Sequence, residues 1–225
     1  FTNGQRIVDK VERLANYFPR LVGVSIYSGI AEDHDSITRV KGSWERSMKV
    51  VEQLSDLAVP MNLKCCIMQP NLHSYYMVAD LARKYAAETQ FEININDSID
   101  GDLCARQLRL TEEQLQVVLS DSNNPLFLGH KTANHVGESR DLQSSACEAG
   151  RTAFCITPEG MMQPCCAFPL SFGFLKHSTI SEILNDNEPL KKWRRHTLLQ
   201  FTECGRYKYC NFCNLCAGNA QLEHG

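Results

Sequence analysis

Leu21-Val22-Gly23-Val24-Ser25-Ile26-Tyr27 is the stretch on which the fold turns. Its apolar positions, Leu21, Val22, Val24 and Ile26, read as a buried strand. Two further runs read the same way. Residues 61–68 (MNLKCCIM) form a second strand, and residues 91–96 (FEININ) alternate as a third. Helical patterns separate them. Asn3-Gly4 is a turn signal, and Ile7, Val8, Val11, Leu14, Ala15 and Phe18 then recur at helical spacing. Residues 29–42, which include His34-Asp35, read as a polar loop. Ser43 is a candidate cap for a helix lined by Met48, Val51, Leu54 and Leu57, and Pro60 ends that helix. Asn71 is a candidate cap for a helix over about 74–88, with Tyr76, Ala79, Leu81, Ala82 and Tyr85 apolar.

Strands alternating with helices predict βαβ units and a parallel sheet, an α/β fold. Parallel sheets bind ligands at the C-terminal ends of their strands. Those ends are Tyr27-Ser28-Gly29, Met68-Gln69-Pro70-Asn71 and Asn96-Asp97-Ser98, all polar or turn-like. Further on, Thr111-Glu112-Glu113-Gln114 is a capping box that predicts a helix over 111–120. Residues 131–146 are polar and read as a linker. Residues 152–156 and 161–165 flank Pro158-Glu159-Gly160, a hairpin signal. Residues 179–184 and 189–198 read as short helices before a cysteine-rich tail.

The chain has 225 residues, 43% of them apolar, enough for one large domain or one domain and a small appendage. A net charge of −3 with mixed signs gives no basic face for nucleic acid. No apolar run approaches the roughly 20 residues that cross a bilayer. The start, Phe1-Thr2-Asn3-Gly4, has no signal-peptide features and no Met, so the chain is expected to be part of a longer protein. Eleven cysteines without a secretory signal point to a reducing compartment, the cytoplasm. A disulfide scaffold is the rival. Against it stand the odd cysteine count, the long amphipathic helices and the adjacent pairs Cys65-Cys66 and Cys165-Cys166.

Eight of the cysteines lie between Cys147 and Cys216. Thiolates are soft ligands that select zinc or iron–sulfur centres. The hairpin brings Cys147 and Cys165 together, and Cys204, Cys210, Cys213 and Cys216, spaced C-x5-C-x2-C-x2-C, are candidates for the remaining ligands. The C-x2-C-x2-C run is too tight for paired zinc knuckles, although a structural zinc site stays open. Cys155 is a ligand or a packed core thiol. Cys166 falls on the other face of the strand, and Cys65, Cys66 and Cys104 are read as non-ligands.

These residues resemble those of a known family. Ser25-Ile26-Tyr27, His34-Asp35-Ser36-Ile37-Thr38 and Gly42-Ser43-Trp44 resemble the fourth-strand region of radical S-adenosylmethionine (SAM) enzymes. Leu63-Lys64 through Met68 to Asn71 resembles the fifth strand and its turn, and Phe1-Thr2-Asn3-Gly4 the end of the third. Cys147-x-Ala149-Gly150-Arg151, Ile156-x-Pro158-x-Gly160 and Pro164-Cys165 resemble the opening of a SPASM domain. Phe172-Gly173-Phe174-Leu175 with Thr179-Ile180-Ser181-Glu182-Ile183 resembles its continuation. Tyr209-Cys210, Cys213 and Cys216-Ala217-Gly218 resemble its close.

The resemblance implies that residues 1–130 are the C-terminal portion of a radical SAM (β/α)6 partial barrel and that 131–146 are a linker. Residues 147–225 would be a small cysteine-rich α+β SPASM-like domain with one or two auxiliary 4Fe-4S clusters. It implies S-adenosylmethionine as cofactor of the full-length parent, with Ser25, Lys64 and Asn71 near it, and a peptide or protein substrate together with a reductant. The chemistry implied is peptide maturation by a 5′-deoxyadenosyl radical: a thioether or carbon–carbon crosslink, or an epimerised residue. The family's CxxxCxxC loop and its Gly-Gly-Glu motif are absent here, so this stretch alone is expected to be inactive. The tail also departs from the family's C-x2-C-x5-C-x3-C, with Phe201 where a first Cys would fall. A non-catalytic iron–sulfur or zinc-stabilised module, or an electron-transfer protein, is the alternative.

Overall fold

The computed structural model describes residues 1–98, 100–120, 143–145, 147–168, 170–197, 200, 216–218 and 220. The predicted ligands Cys204, Cys210 and Cys213 and most of the 131–146 linker lie outside the described residues. The chain divides into two units: Phe1–Ile95 with Gln107–Asn134, and Asn96–Arg106 with His135–Gly225.

The three predicted strands form one parallel sheet in the order β1-β2-β3. β1 is Val22–Ser25, β2 Met61–Cys66 and β3 Glu88–Glu92. Val24 lies beside Leu63, Ser25 beside Lys64, and Lys64 beside Gln90. Thr2 makes a parallel bridge to Val24, so the start of the chain pairs with the free edge of β1. Each connection carries a helix, as a parallel crossover requires. α1 (Val11–Ala15) precedes β1. α2 (Ala31–Thr38) and α3 (Ser43–Asp56) follow β1, and α4 (Met77–Lys84) follows β2. Ile26, Val50, Val51, Leu54, Leu63, Ile67 and Val78 are completely buried between sheet and helices. Each such side chain contributes about 1.5–3 kcal/mol by leaving water.

The structure departs from the sequence reading in four places. Residues 31–38 are a helix rather than loop. α2 lacks an apolar stripe because polar groups hold it: buried His34 accepts the Tyr27 N–H, and Asp33 accepts from Ser28 and Ser74. Ser43 is inside α3, not its cap. The carboxylate of Asp35 closes that helix start instead, accepting from Gly42 N at 2.5 Å and Trp44 N at 2.8 Å. β3 runs from Glu88 to Glu92, three residues early at its start and four short of Asn96 at its end, so Asn96-Asp97-Ser98 lies beyond the strand; pairing with β2 sets its extent where alternation alone does not. Finally, the first and third helices are short. Tyr17 and Phe18 are exposed beyond α1, and residues 72–76 turn before α4 begins.

The capping box holds: Gln114 N donates to Thr111 Oγ1, and Thr111 N to Gln114 Oε1, ahead of α5 (Glu112–Ser120). In the second unit the hairpin forms as expected. β4 (Cys155–Ile156) pairs antiparallel with β5 (Met161–Gln163), and Gly160 N donates to Thr157 O across the turn. β6 (Gly173–Phe174) adds a third strand. The two predicted helices are α6 (Ile180–Asp186), capped by Thr179 and Glu182, and α7 (Glu188–Arg194), capped by Asn187. Met162, Phe172, Ile183 and Leu190 make the small core of this unit.

Candidate functional site

Strand alternation sorts the sheet into two faces. Val22, Val24, Met61, Leu63, Cys65 and Phe91 are buried toward the helices. Ser25, Asn62, Lys64, Cys66, Gln90 and Glu92 stand on the opposite, polar face, with Ser25, Lys64 and Gln90 in one row. A polar face beside the C-terminal strand ends is where a ligand of a parallel sheet binds. Burial pushes the Tyr27 phenol above its usual pKa, a rise that the neighbouring Ser25 hydroxyl opposes. Burial also lowers the Lys64 ammonium, an effect partly offset by the charge of Glu92, and its Nζ lies 3.9 Å from the Phe1 ring centroid.

Asn71 is placed differently from Ser25 and Lys64. It is completely buried. Its amide donates to Tyr27 O at 2.7 Å and to Cys66 O at 2.9 Å, while its Oδ1 accepts from Met68 N at 2.7 Å. Both amide protons are therefore spent joining the end of β1 to the end of β2. A second knot does the same job beside it. Asp33 Oδ2 accepts from Ser74 Oγ at 2.7 Å and Ser28 Oγ at 3.2 Å, and His73 Nε2 lies 3.0 Å away. Sequence reasoning missed Asp33 and Ser74 and placed Ser28 only as part of a strand end. Isolated Ser and Asp residues in a polar stretch give no periodic signal, and only their approach across 46 residues makes them a unit.

The first unit's Cys65 and Cys66 lie on β2. Cys65 is core, and burial raises its thiol far out of reach of ionisation; burial raises Cys66 to about 11. Cys65, Cys66, Cys147, Cys155, Cys165 and Cys166 are thiols, not disulfides.

In the second unit a tight turn follows Cys147. Gly150 N donates to Ala153 O at 2.8 Å and to Pro164 O at 3.2 Å, which sets this turn beside the residue preceding Cys165. The turn is pinned from α7. The Trp193 indole donates to Ala149 O at 2.7 Å, Arg194 Nε to Gly150 O at 2.9 Å, and Arg151 to the carbonyls of Arg194 and His196. Gly150 has φ +71°, and a Cβ there would lie 2.7 Å from the indole, so no other residue fits. The chain turns again after Cys165, with Phe168 N donating to Cys165 O at 3.3 Å. Cys216 arrives from the tail. At Gly218 an added Cβ would lie 2.6 Å from Ala167 O, so the segment after Cys216 lies against the turn after Cys165.

Cys147, Cys165 and Cys216 are thus neighbours. Burial raises the Cys165 thiol, and the charges of Cys166, Cys216 and Cys147 raise it further, whereas the Ala167 N–H opposes them. Left alone, such a group stays protonated; a thiophilic centre would hold it as thiolate. Three soft, half-buried thiols brought together by these turns fit an iron–sulfur cluster as a donor type. Among the described residues no set of three has ligand geometry as it stands. Cys166 is exposed, and Cys155 lies partly buried on β4.

Residues 147–217, a span that holds all six candidate cysteines, match SPASM, an iron–sulfur cluster-binding domain. The chain carries the fold of radical SAM/SPASM enzymes. Among curated proteins it is 25% identical over 228 residues to the antilisterial bacteriocin subtilosin biosynthesis protein AlbA of Bacillus subtilis, covering 96% of this chain and 49% of that one. It is 23% identical over 245 residues to the AdoMet-dependent heme synthase of Methanosarcina barkeri, covering 100% and 70%. Among solved structures it matches Streptococcus suis SuiB bound to S-adenosylmethionine, with TM-score 0.62 at 14% identity over 100% of this chain and 56% of that one. It also matches anSMEcpe with bound AdoMet and the Kp18Cys peptide, with TM-score 0.60 at 14% identity over 95% and 63%. The chain spans about half the length of AlbA and under two thirds of these two structures.

Proposed function

We propose that this chain is the C-terminal part of a radical SAM/SPASM enzyme that modifies a ribosomally made peptide or a protein side chain. The observation that carries the reading is the convergence of Cys147, Cys165 and Cys216 within the SPASM match. The relationship to AlbA, a protein of bacteriocin biosynthesis, and the peptide bound in anSMEcpe support a peptide substrate.

In this reading S-adenosylmethionine, when bound, supplies a 5′-deoxyadenosyl radical. Ser25 and Lys64 meet it from the polar face of the sheet, Ser25 through its hydroxyl and Lys64 through its ammonium. Asn71 positions the strand ends that carry them. Cys147, Cys165, Cys204, Cys210, Cys213 and Cys216 supply the ligands of one or two auxiliary 4Fe-4S clusters. The surrounding turn, locked by Trp193 and Arg194, keeps water from the sulfurs. A cellular reductant feeds the clusters, and the enzyme works in the cytoplasm. No described helix is long and apolar enough to cross a membrane.

The test is anaerobic incubation of the full-length protein with dithionite and S-adenosylmethionine. Release of 5′-deoxyadenosine supports the reading; none from a cluster-replete protein sinks it. The 225-residue stretch alone, lacking CxxxCxxC, should release none. Ser25→Ala and Lys64→Ala should each weaken S-adenosylmethionine binding. Iron and acid-labile sulfide in the purified stretch separate the cluster from the zinc alternative, which gives a colourless protein.

A further inference from the structure

The second unit holds a cavity of about 860 Å3, within the range of sites that enclose a small ligand or a few residues of a peptide. We propose that it is a docking pocket for an acidic, apolar segment of the substrate peptide, outside the residue that reacts. This rests on the peptide-modifying reading above and names the part of the substrate that the pocket would take.

The floor is aromatic and rigid. Phe168 and Trp193 meet edge to face at 4.9 Å, and the indole N–H is already bonded to Ala149 O. The ring therefore keeps one orientation and offers its apolar surface. Leu170, 39% exposed, continues this floor toward solvent. The imidazole of His196 stacks on Trp193 at 5.5 Å, held by its contact with Lys192 O. An apolar side chain of a ligand would meet a preformed surface and order little on binding.

The rim decides the charge of the occupant. Lys192 and Arg195 line it, and Glu188 is the acid among the described lining residues. Glu188 is engaged by Lys191 at 2.9 Å and stands 4.0 Å from Arg195. Among the described lining residues two cations, Lys192 and Arg195, thus stand with one carboxylate that Lys191 already engages from outside the cavity, and no described carboxylate pairs with Lys192. Such a rim attracts carboxylates and repels a basic segment. Ala217, next to Cys216, also lines the cavity, and Phe168 closes the turn that begins at Cys165. Docking there would hold a peptide beside the cluster ligands. A flat electron-carrier surface would not use a concave aromatic floor.

The test uses the full-length, cluster-replete protein and two dye-labelled blocked peptides, Glu-Leu-Phe-Glu and Lys-Leu-Phe-Lys, followed by fluorescence anisotropy. The acidic peptide should bind at least about fivefold more tightly at low salt, and the preference should shrink as salt rises. Lys192→Glu, a surface change, should reverse it. Leu170→Ala should weaken both peptides. Cluster absorbance shows that each variant is folded. Equal binding of the two peptides, no binding of either, or indifference to Lys192→Glu overturns the proposal. Release of 5′-deoxyadenosine, measured separately, is independent of these results, so failure of the pocket and failure of the enzymatic reading are distinguishable.

Discussion

Asn71 and Tyr27 are 44 residues apart, yet the Asn71 amide lies 2.7 Å from the Tyr27 carbonyl, closing the end of β1 onto the turn after β2. The same side chain reaches Cys66 O and Met68 N, so one buried amide fixes three backbone groups at the face where the sheet is expected to bind its cofactor. Asn71→Ala should therefore cost about 2–4 kcal/mol, because it leaves buried carbonyls and an N–H without partners. Urea titration of the purified chain measures this. A loss below about 0.5 kcal/mol would show that the clamp carries no weight.

Gly150→Ala tests the lock on the cluster turn. The new methyl would meet Trp193 at 2.7 Å on a backbone already at φ +71°. The turn must shift, at a cost of about 1–3 kcal/mol, and Cys147 moves with it. Iron content per chain should fall while unit one keeps its secondary structure, as read by iron assay and circular dichroism. Unchanged iron would separate the turn from the ligands.

Cys165→Ser and Cys166→Ser are neighbours in sequence with opposite expectations. Cys165 is half-buried beside Cys147 and Cys216; Cys166 is exposed. The first substitution should bleach the visible absorbance of the reconstituted cluster. The second should leave it within error. If both variants behave alike, the assignment of the ligand face is wrong.

His34 gives the fold an acid-sensitive point. Desolvation holds it below the usual imidazole pKa, opposed in part by Asp35, and its Nδ1 accepts from Tyr27 N. Protonation would remove that acceptor. In the unfolded chain the ring charges near about pH 6.5. Stability from this group is thus fully present above that value, falls as pH drops through it, and levels off only below the lower folded pKa. His34→Gln should flatten the stability curve between about pH 7 and 5, measured by denaturant midpoints. An unchanged slope would rule out His34 as its source.

The legible parts of this protein are those written in periodicity and in local turn chemistry. Val22, Val24 and Ile26 declared β1, and Met48, Val51 and Leu54 declared α3. Thr111 with Gln114 marked a helix start, and Pro158-Glu159-Gly160 marked the hairpin. α2 was hidden because its stability comes from Asp33, His34 and Asp35 reaching partners outside the helix, and side-chain bonds of that kind have no period. Both bounds of β3 differ from the alternating run because an edge strand takes its extent from its neighbour.

The amino-acid order by itself determined the alternation that makes a parallel sheet and the crowding of thiols that makes a metal-binding segment, because hydrophobic period and ligand chemistry are properties of the residues. Only the tertiary structure decided that Asn71 serves as a clamp between strand ends and that Cys216 arrives beside Cys165. It also decided that Lys192 rims an aromatic cavity. Those facts depend on which distant segments come within a few ångströms of each other, and proximity is set by packing the whole chain rather than by any one stretch of it.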